Sequence, residues 1–454
     1  MAHKKVIFIS SFHPHISRNV LAAGVLTALL KDESVCVVIA VPPYKVAYFK
    51  EQFGGERVVV EGVPTYQSTR FFSGRFFKRL AVYLFDTESA RARKRYERYL
   101  TGSYIRFCFV MTLGFFGRSL FVRKVVRTAD LFFSPKRIFA PLLRKHAVSV
   151  VFSTDLQNEN DVSLLQDARR ARIPTVGMAR SWDNLSLRFL RVFPDTLVVG
   201  SEELKQEAIT LHGFPPERIA VTGNPHYDRY IVGPSISREN LLLSFGLSPG
   251  KKFLLYAPVS DALIRTNDMD EHIIRLLAKL PLSVIVRFPP EKKVRLGSFT
   301  KPPHFAYDTP GAVFKSDEVG DREIRPEDDQ NLINELYHAD VVVTGPTSIL
   351  MDAALADRPV VAVNFYPTQR HYFETVWRYQ DDHIAKALQT GGIAYARSPE
   401  EMLLRVERYL ANPHEDRAGR AELRRRWFSH ADGASAMRLV AAVLSAVRSY
   451  TKPA

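Results

Sequence analysis

Cysteine is scarce in this chain of 454 residues: only Cys36 and Cys108 occur, each among apolar neighbours. Two isolated cysteines argue against a disulfide framework or a cysteine-based zinc site, and they fit a reducing compartment. The N-terminus also lacks an apolar run long enough for a secretory signal, because it passes directly into a predicted strand. We therefore expect a cytoplasmic protein, and because no cluster of metal-binding residues occurs in the sequence, we expect no metal site.

Acidic residues are scarce where basic ones concentrate. Residues 70–127 contain 14 lysines and arginines but only 3 acidic residues, so +11 of the formal net charge of +15 lies there. The aromatic residues of the same stretch are Phe71, Phe72, Phe76, Phe77, Tyr83, Phe85, Tyr96, Tyr99, Tyr104, Phe107, Phe109, Phe115, Phe116 and Phe121. Basic charge beside aromatic side chains suits nucleic acid or an anionic membrane surface, and no recognisable nucleic-acid module accompanies it. We therefore expect an anionic membrane partner, at the inner face of the plasma membrane, and no nucleic acid.

This region also lacks an apolar segment long enough to cross a bilayer. The uncharged run 107–117 has 11 residues between Arg106 and Arg118, whereas a spanning helix needs about 20 residues. The run could lie in the membrane interface, as part of a peripheral protein. The alternative is a helical insertion that packs on the N-terminal domain and keeps its basic faces in water.

Short β-branched runs alternate with amphipathic segments along the rest of the chain, and one predicted helix covers Ser17–Leu30. This alternation predicts an α/β protein with parallel sheets, in two doubly wound, Rossmann-like domains. We place the first domain at residues 1–232, with the basic aromatic insertion at about 70–127, and the second at residues 233–430. Residues 431–454 predict a C-terminal helix that could pack back on the first domain.

The segment 339–365 reads as a strand, a tight turn at Gly345, a helix and a second strand. Pro346 suits the first helical position, where its missing N–H costs nothing. Thr347 and Ser348 then place two hydroxyls beside the free backbone N–H groups of a helix N-terminus. Such a helix start is a ready site for an anion.

This segment resembles the donor site of GT-B glycosyltransferases, which hold a nucleotide-sugar diphosphate with small and hydroxyl residues at this helix start. The resemblance implies a GT-B-like fold, in which two domains face a cleft. It implies a nucleotide-diphosphate sugar or a CDP-polyol as donor substrate, and no cofactor. The donor contacts that it implies are Gly345, Pro346, Thr347 and Ser348. Asp352, one helical turn further on, could bind a ribose or sugar hydroxyl pair, or could lie on a solvated helix face.

The resemblance to GT-B enzymes extends to the residues at two more strand ends of the second domain. Ser260 follows the strand 253–257, where relatives often carry a small or hydroxyl residue against the donor phosphates. Arg287 ends the strand 283–287 and could offset diphosphate charge as a bidentate donor. Relatives often follow this basic residue with His-Pro. Phe288 stands in place of the histidine, which is a departure from the glycerophosphotransferase and epimerase patterns alike.

Histidines follow the first predicted strand of the N-terminal domain. His13 and His15 lie in the loop 10–15, beyond the carboxyl end of that strand, where ligands of open α/β sheets collect. In GT-B enzymes this loop faces the acceptor. Either histidine could act as a general base near neutral pH, and the alternative is a surface or helix-capping histidine.

The segment 179–184 resembles the SWDN segment that follows a strand in a group of bacterial surface-carbohydrate transferases. The resemblance implies that Asp183 is a base or an acceptor-binding carboxylate. It implies that Arg180, Trp182 and Asn184 contact the acceptor. The alternative is a cluster that only caps a helix and closes a turn.

The segment 195–230 resembles the interdomain approach of CDP-glycerol glycerophosphotransferases and UDP-N-acetylglucosamine 2-epimerases. Its most specific part is the turn Val221-Thr222-Gly223-Asn224-Pro225. In those relatives this turn lies at the cleft, which implies that Gly223 and Asn224 line it here.

Taken together, these patterns predict metal-independent transfer of a sugar or polyol phosphate from a nucleotide-diphosphate donor. The predicted acceptor is a surface polysaccharide or a lipid-linked glycan. The alternatives are a nucleotide-sugar 2-epimerase and a non-catalytic GT-B-like binding protein. The nucleotide base, the transferred group and the oligomeric state stay open.

Overall fold

The computed structural model of the chain describes residues 4–261, 263–264, 266–290, 294–314 and 322–448. It forms two compact units. The N-terminal unit comprises the residues up to Arg229 together with those from Ser429 onward, and the C-terminal unit is Tyr230–Phe428. The domain boundaries predicted after residues 232 and 430 compare with observed boundaries after 229 and 428.

The N-terminal unit is built on a seven-stranded parallel sheet with the order β3-β2-β1-β4-β5-β6-β7. Its strands are β1 (Lys5–Ser10), β2 (Val35–Val41), β3 (Val58–Gly62), β4 (Val150–Ser153), β5 (Thr175–Met178), β6 (Thr196–Val199) and β7 (Ile219–Val221). The central strands are short runs of valine and isoleucine because both faces of the sheet are covered. The strand order reverses between β1 and β4, so the carboxyl ends of these two strands form the topological switch point.

The helices of this unit cover the sheet and form the insertion. They are α1 (Pro14–Ile16), α2 (Leu26–Leu29), α3 (Val46–Phe53), α4 (Phe72–Tyr83), α5 (Glu88–Thr101), α6 (Tyr104–Phe116), α7 (Leu120–Phe133), α8 (Ala140–Lys145), α9 (Glu159–Arg170), α10 (Asn184–Leu187), α11 (Glu202–His212) and the residues up to Arg229 of α12 (Pro225–Val232). The prediction of one helix over Ser17–Leu30 is wrong. A π-helical segment, Ser17–Val25, joins α1 to α2 and is broken at Gly24, whose φ of 85° lies in the left-handed region.

The helices α4 to α7 lie between β3 and β4 and include the predicted insertion at 70–127. Their inner faces share a hydrophobic cluster centred on Ala81, Leu84, Phe85, Ala90 and Phe189. No single helix among the described residues is long and apolar enough to cross a membrane; α6 and α7 meet that test only as a pair, bent by 103°.

The C-terminal unit has a six-stranded parallel sheet with the order β10-β9-β8-β13-β14-β15. The strands of this unit are β8 (Phe253–Ala257), β9 (Ser283–Arg287), β10 (Phe305–Asp308), β11 (Ala312–Val313), β12 (Arg322–Glu323), β13 (Val341–Thr344), β14 (Val360–Val363) and β15 (Ala394–Ala396). The short strands β11 and β12 pair antiparallel outside the main sheet. Two doubly wound parallel sheets confirm the predicted fold class.

The helices of the C-terminal unit are α13 (Arg238–Ser244), α14 (Met269–Leu277), α15 (Pro326–His338), α16 (Ile349–Leu355), α17 (Asp382–Leu388), α18 (Pro399–Ala411) and α19 (Arg417–Trp427). The start of α16 corrects the prediction that Pro346 opens the helix. The N–H of Thr347 donates to the carbonyl of Gly345 (2.8 Å), so Pro346 and Thr347 lie in a tight turn before the helix. Ser348 becomes the N-cap residue.

The last helix, α20 (Ser435–Arg448), belongs to the N-terminal unit. Leu439, Val440 and Val443 share a hydrophobic cluster with the sheet residues Ile7 and Ile9. The hydroxyl of Ser435 donates to Asp228 (2.6 Å), which fixes the start of the helix. The C-terminal residues thus complete one face of the first sheet.

Candidate functional site

Two turns meet at the carboxyl edge of the C-terminal sheet. The strands β8 and β13 are neighbours, with Ala257 opposite Thr344, so the residues that follow each strand emerge side by side. An added Cβ on Gly345 would collide with the Val259 side chain. Glycine therefore permits the close approach of the two turns. Five of the predicted donor contacts (Ser260, Gly345, Pro346, Thr347 and Ser348) belong to these turns.

Ser260 has a strained backbone and a buried hydroxyl. Its φ of 82° is one that non-glycine residues rarely adopt, and its Oγ has no hydrogen-bond partner among the described residues. The carboxylate of Asp270 holds this conformation, because it accepts hydrogen bonds from the N–H groups of Val259 (2.9 Å) and Ser260 (3.2 Å). Strain and an unsatisfied buried hydroxyl occur together at functional sites.

Thr347 and Ser348 play different parts in the turn. The Thr344 hydroxyl donates its proton to the carbonyl of Ala257 (2.9 Å), so the Thr347 hydroxyl, 3.0 Å from Thr344 Oγ1, must donate to it. The Thr347 hydroxyl therefore donates its hydrogen bond within the protein. The Ser348 side chain is exposed and makes no capping hydrogen bond, so its hydroxyl is available to a ligand.

Asp352 and Pro346 complete the predicted donor set. Asp352 is 4% exposed, which excludes the alternative of a solvated helix face. Pro346 is partly exposed at the turn. Their contact with a donor stays a prediction.

Arg287 ends β9 as predicted, but its guanidinium is already occupied. It is bound to Asp308, to Glu335 (3.1 Å) and to the main-chain carbonyl of Asp328 (2.6 Å), and only 6% of the side chain is exposed. Burial raises the pKa of Glu335 to about 8, against the opposing effect of Arg287. The arrangement does not favour the predicted bidentate contact of Arg287 with a diphosphate.

Arg370, which sequence reasoning missed, is a second cation at this edge. It follows β14 and binds Asp268 (2.6 Å) and the Thr266 carbonyl (3.1 Å), while its buried Nε has no partner among the described residues. An arginine beside Tyr366, in an aromatic-rich loop after a strand, is the signal that could have identified it.

The sequence Asp268-Met269-Asp270 has the spacing of an Asp-x-Asp motif. Asp270 accepts from the Tyr256 hydroxyl (2.6 Å) and from the turn at Val259 and Ser260. Asp268 binds Arg370 through Oδ2, whereas its buried Oδ1 has no partner among the described residues. Within the described residues, no group of three or more histidine, cysteine, aspartate or glutamate side chains could hold a metal ion.

The N-terminal unit brings together three predicted residues at its switch point. Arg180, after β5, donates from Nε to Asp155 Oδ2 (2.9 Å), and its Nη1 lies 3.4 Å from His15 Nδ1. The rings of His13 and His15 have their centroids 4.8 Å apart. Arg180, His13 and His15 therefore form one cluster with Asp155, which sequence reasoning missed.

A second missed carboxyl group lies beneath this cluster. Asp161 Oδ1 accepts hydrogen bonds from the hydroxyls of Ser10 and Ser153 (2.9 Å). Burial, together with the negative charge of Asp155, raises the pKa of Asp161 to about 7. Burial alone would also raise the pKa of Asp155, but Arg180 and His13 hold it below its ordinary value. The polar run that follows the buried strand β4 could have pointed to Asp155.

The remaining predicted residues have local roles in the N-terminal unit. The Asn184 side chain is buried and accepts from the N–H of Ser181 (2.7 Å), which closes the loop in which Trp182 and Asp183 stay partly exposed. An added Cβ on Gly223, whose φ is 78°, would collide with Ser435. Asn224 accepts from the N–H of His226 (3.1 Å). Ligand contacts of these residues stay predictions.

A family model described as CDP-glycerol:poly(glycerophosphate) glycerophosphotransferase matches residues 178–445. No curated protein shows significant similarity to the chain. Solved structures with a similar fold include the UDP-N-acetylglucosamine 2-epimerase from Neisseria meningitidis bound to UDP-GlcNAc (11% identity, TM-score 0.57, covering 97% of this chain and 100% of that one). A calicheamicin glycosyltransferase (14%, 0.51, 100% of both chains) and the wall teichoic acid polymerase TagF (11%, 0.50, 100% and 91%) are also similar. At these identities the structures establish the GT-B fold.

Proposed function

This chain belongs to the CDP-glycerol:poly(glycerophosphate) glycerophosphotransferase family, and from that premise we propose that it transfers a polyol phosphate from a CDP-polyol to a hydroxyl group of a cell-surface polymer. The observation that carries the proposal is the extent of the family match, which covers both turns of the donor edge, at Ser260 and at Thr347–Ser348. The missing histidine after Arg287 does not remove the chain from the family. Transfer of a sugar has only the fold in its favour.

The C-terminal unit would bind the donor. The exposed Ser348 hydroxyl and the N–H groups at the start of α16 are donors for a diphosphate oxygen. The buried Ser260 hydroxyl is a further donor without a partner among the described residues. Arg370 would supply the positive charge that the sequence-based prediction gave to Arg287. Donors aimed at the leaving group stabilise the charge that develops on it.

The N-terminal unit would bind the acceptor, a polymer or lipid-linked hydroxyl compound. The acceptor oxygen attacks the β-phosphorus of the donor and forms a new P–O bond. The bond between that phosphorus and the bridging oxygen breaks, and CMP leaves with the electron pair. The acceptor proton passes to a base, for which His13 and His15 are the candidates beside Asp155 and Arg180.

Calorimetric titration of the full chain with CDP-glycerol tests the donor half of this proposal. The wild-type chain should bind, Ser348→Ala should bind more weakly, and Asp155→Asn should bind like wild type because it lies in the other unit. A chain that binds neither CDP-glycerol nor CDP would contradict the proposal and favour a non-catalytic protein. Tighter binding of UDP-N-acetylglucosamine than of CDP-glycerol would also contradict it.

A further inference from the structure

The helical insertion carries most of the exposed apolar surface of the chain. More than half of the large apolar side chains that are exposed among the described residues lie between Phe71 and Phe133. Ile105 is 88% exposed and Phe121 is 73% exposed. Contiguous exposure on this scale marks a surface that contacts a partner or a membrane.

The helices α6 and α7 each expose a row of mainly apolar side chains with the same spacing. The exposed positions of α6 include Ile105, Phe109, Thr112 and Phe116, and those of α7 include Phe121, Val125, Thr128 and Phe132. Both sets follow the spacing i, i+4, i+7, i+11, which places each set on one helix face. Each helix therefore has an apolar outer face.

The two threonines in these faces turn their hydroxyls back onto their own helices. Thr112 Oγ1 donates to the carbonyl of Cys108 (2.9 Å), and Thr128 Oγ1 donates to the carbonyl of Lys124 (3.0 Å). With the hydroxyl satisfied, no polar group of these side chains needs water. The only hydroxyl groups on the two outer faces are thus compatible with an apolar solvent.

The inner faces are fixed, so the outer faces cannot turn into the core. An added Cβ on Gly117 would collide with the carbonyl of Leu84, which shows how closely the end of α6 packs. Arg123 of α7 is buried and donates to the carbonyls of Gly117 and Leu211. Arg127 donates to the Leu190 carbonyl (2.8 Å).

Free cations stand beside the apolar faces. Lys124 precedes Val125 on α7; it is exposed and forms no ion pair among the described residues. Lys136 lies over the ring of Phe132, 5.3 Å from its centroid. Basic groups at the edge of an apolar surface complement the negative headgroups of anionic lipid.

From these faces and charges we propose that α6 and α7 lie flat in the interface of an anionic bilayer, with the Phe109 and Phe121 side chains among the acyl chains. The cytoplasmic leaflet has this chemistry, so attachment at the inner face of the plasma membrane is part of the proposal. We expect this surface to bind lipid rather than a second copy of the chain, because it combines apolar rings with unpaired positive charge. Two like-charged copies of this face would repel each other.

Co-sedimentation of the full chain with phosphatidylcholine vesicles, with and without phosphatidylglycerol, tests the proposal. Binding should require the anionic lipid and weaken with salt. The double variant Phe109→Ser/Phe121→Ser should lower the partition coefficient by about tenfold or more. The matched control Leu243→Ser/Leu404→Ser, which alters two similarly exposed side chains of the C-terminal unit, should bind like wild type.

A depth measurement keeps the proposal falsifiable if the double variant does not fold. Phe121→Trp should gain fluorescence quenching by lipids brominated on the acyl chain, and Leu404→Trp should not. Equal binding to neutral and anionic vesicles would overturn the proposal. So would a stable dimer in solution that the Phe109→Ser/Phe121→Ser change dissociates, without any vesicle binding by the wild-type chain.

Discussion

Arg180 and Asp155 form an ion pair across the switch point of the N-terminal sheet, with 2.9 Å between Nε and Oδ2. The pair joins the ends of β5 and β4, and it holds the guanidinium within 3.4 Å of His15. Both side chains are largely buried, so removal of either partner removes the ion pair that offsets a buried charge. Asp155 thus fixes the position of Arg180 beside His15, one of the predicted base candidates.

Replacement of Asp155 by asparagine should therefore impair turnover without impairing donor binding. We expect a loss of about tenfold or more in kcat, because Arg180 and the histidines lose their fixed positions. The acidic limb of the pH–rate profile should move to lower pH, because the histidines lose a neighbouring negative charge. Asp195→Asn, at the opposite end of β5, is the matched control. An unchanged kcat would contradict a positioning role for Asp155.

The free energy of unfolding should depend on pH because of Asp161. Its pKa of about 7 in the folded state exceeds its ordinary value of 3.8, so the folded state holds the extra proton between these values. The stabilisation that the protonated Asp161 side chain gives to the folded state is therefore complete below pH 4 and is lost as the pH rises through 7. Asp161→Asn should gain stability relative to wild type from pH 4 to pH 8, by about 4 kcal/mol at most. Urea unfolding at both pH values checks this, and parallel curves for the two proteins would contradict it.

Substitutions of Ser348 and Thr347 should affect different properties: the first should weaken donor binding, and the second should lower the stability of the fold. Ser348→Ala should weaken the binding of CDP by about 1–2 kcal/mol with little change in unfolding. Thr347→Ala removes a hydrogen bond to Thr344 and should lower the free energy of unfolding by about 0.5–1.5 kcal/mol. Calorimetry and denaturant unfolding on both variants measure the split. Unchanged affinity in a folded double variant would show that the turn does not hold the diphosphate.

Arg287 distinguishes the sequence-based prediction from the observed structure. Arg287→Met leaves Asp308 and Glu335 without their buried cation, and we expect a loss of about 3–5 kcal/mol in stability. Arg370→Met should instead lower donor affinity more than stability, because Arg370 lies at the donor edge. A stable Arg287→Met protein with weakened CDP binding would restore the diphosphate role to Arg287.

The sequence predicted the fold and the strand ends that carry the candidate residues for a common reason. Short buried strands end in polar turns, and parallel strands bring those turns to one edge. This rule assigned His13, His15 and Arg180 to strand ends of the N-terminal domain, and Ser260 and the turn before α16 to strand ends of the C-terminal domain, but it did not predict their mutual contacts. The rule needs only local sequence.

What the sequence could not give depends on contacts between distant residues. Ser10 and Asp161 are 151 positions apart, and the burial and the nearby charge of Asp155 that raise the pKa of Asp161 exist only in the folded chain. The start of α16 was misplaced because one main-chain hydrogen bond, from Thr347 to Gly345, makes a turn out of a segment with good helix-start residues. The partners of Arg287 come from β10 and α15, which no local pattern connects.

The fate of the donor β-phosphate distinguishes transfer of a polyol phosphate from every alternative reaction. The full chain is incubated with CDP-glycerol labelled with ³²P at the β-phosphate and with a polyol-phosphate primer on anionic vesicles. We expect the label to move into the polymer and unlabelled CMP to be released in equal amount. Label that stays on the nucleotide as CDP, or donor turnover that needs no acceptor, would contradict it.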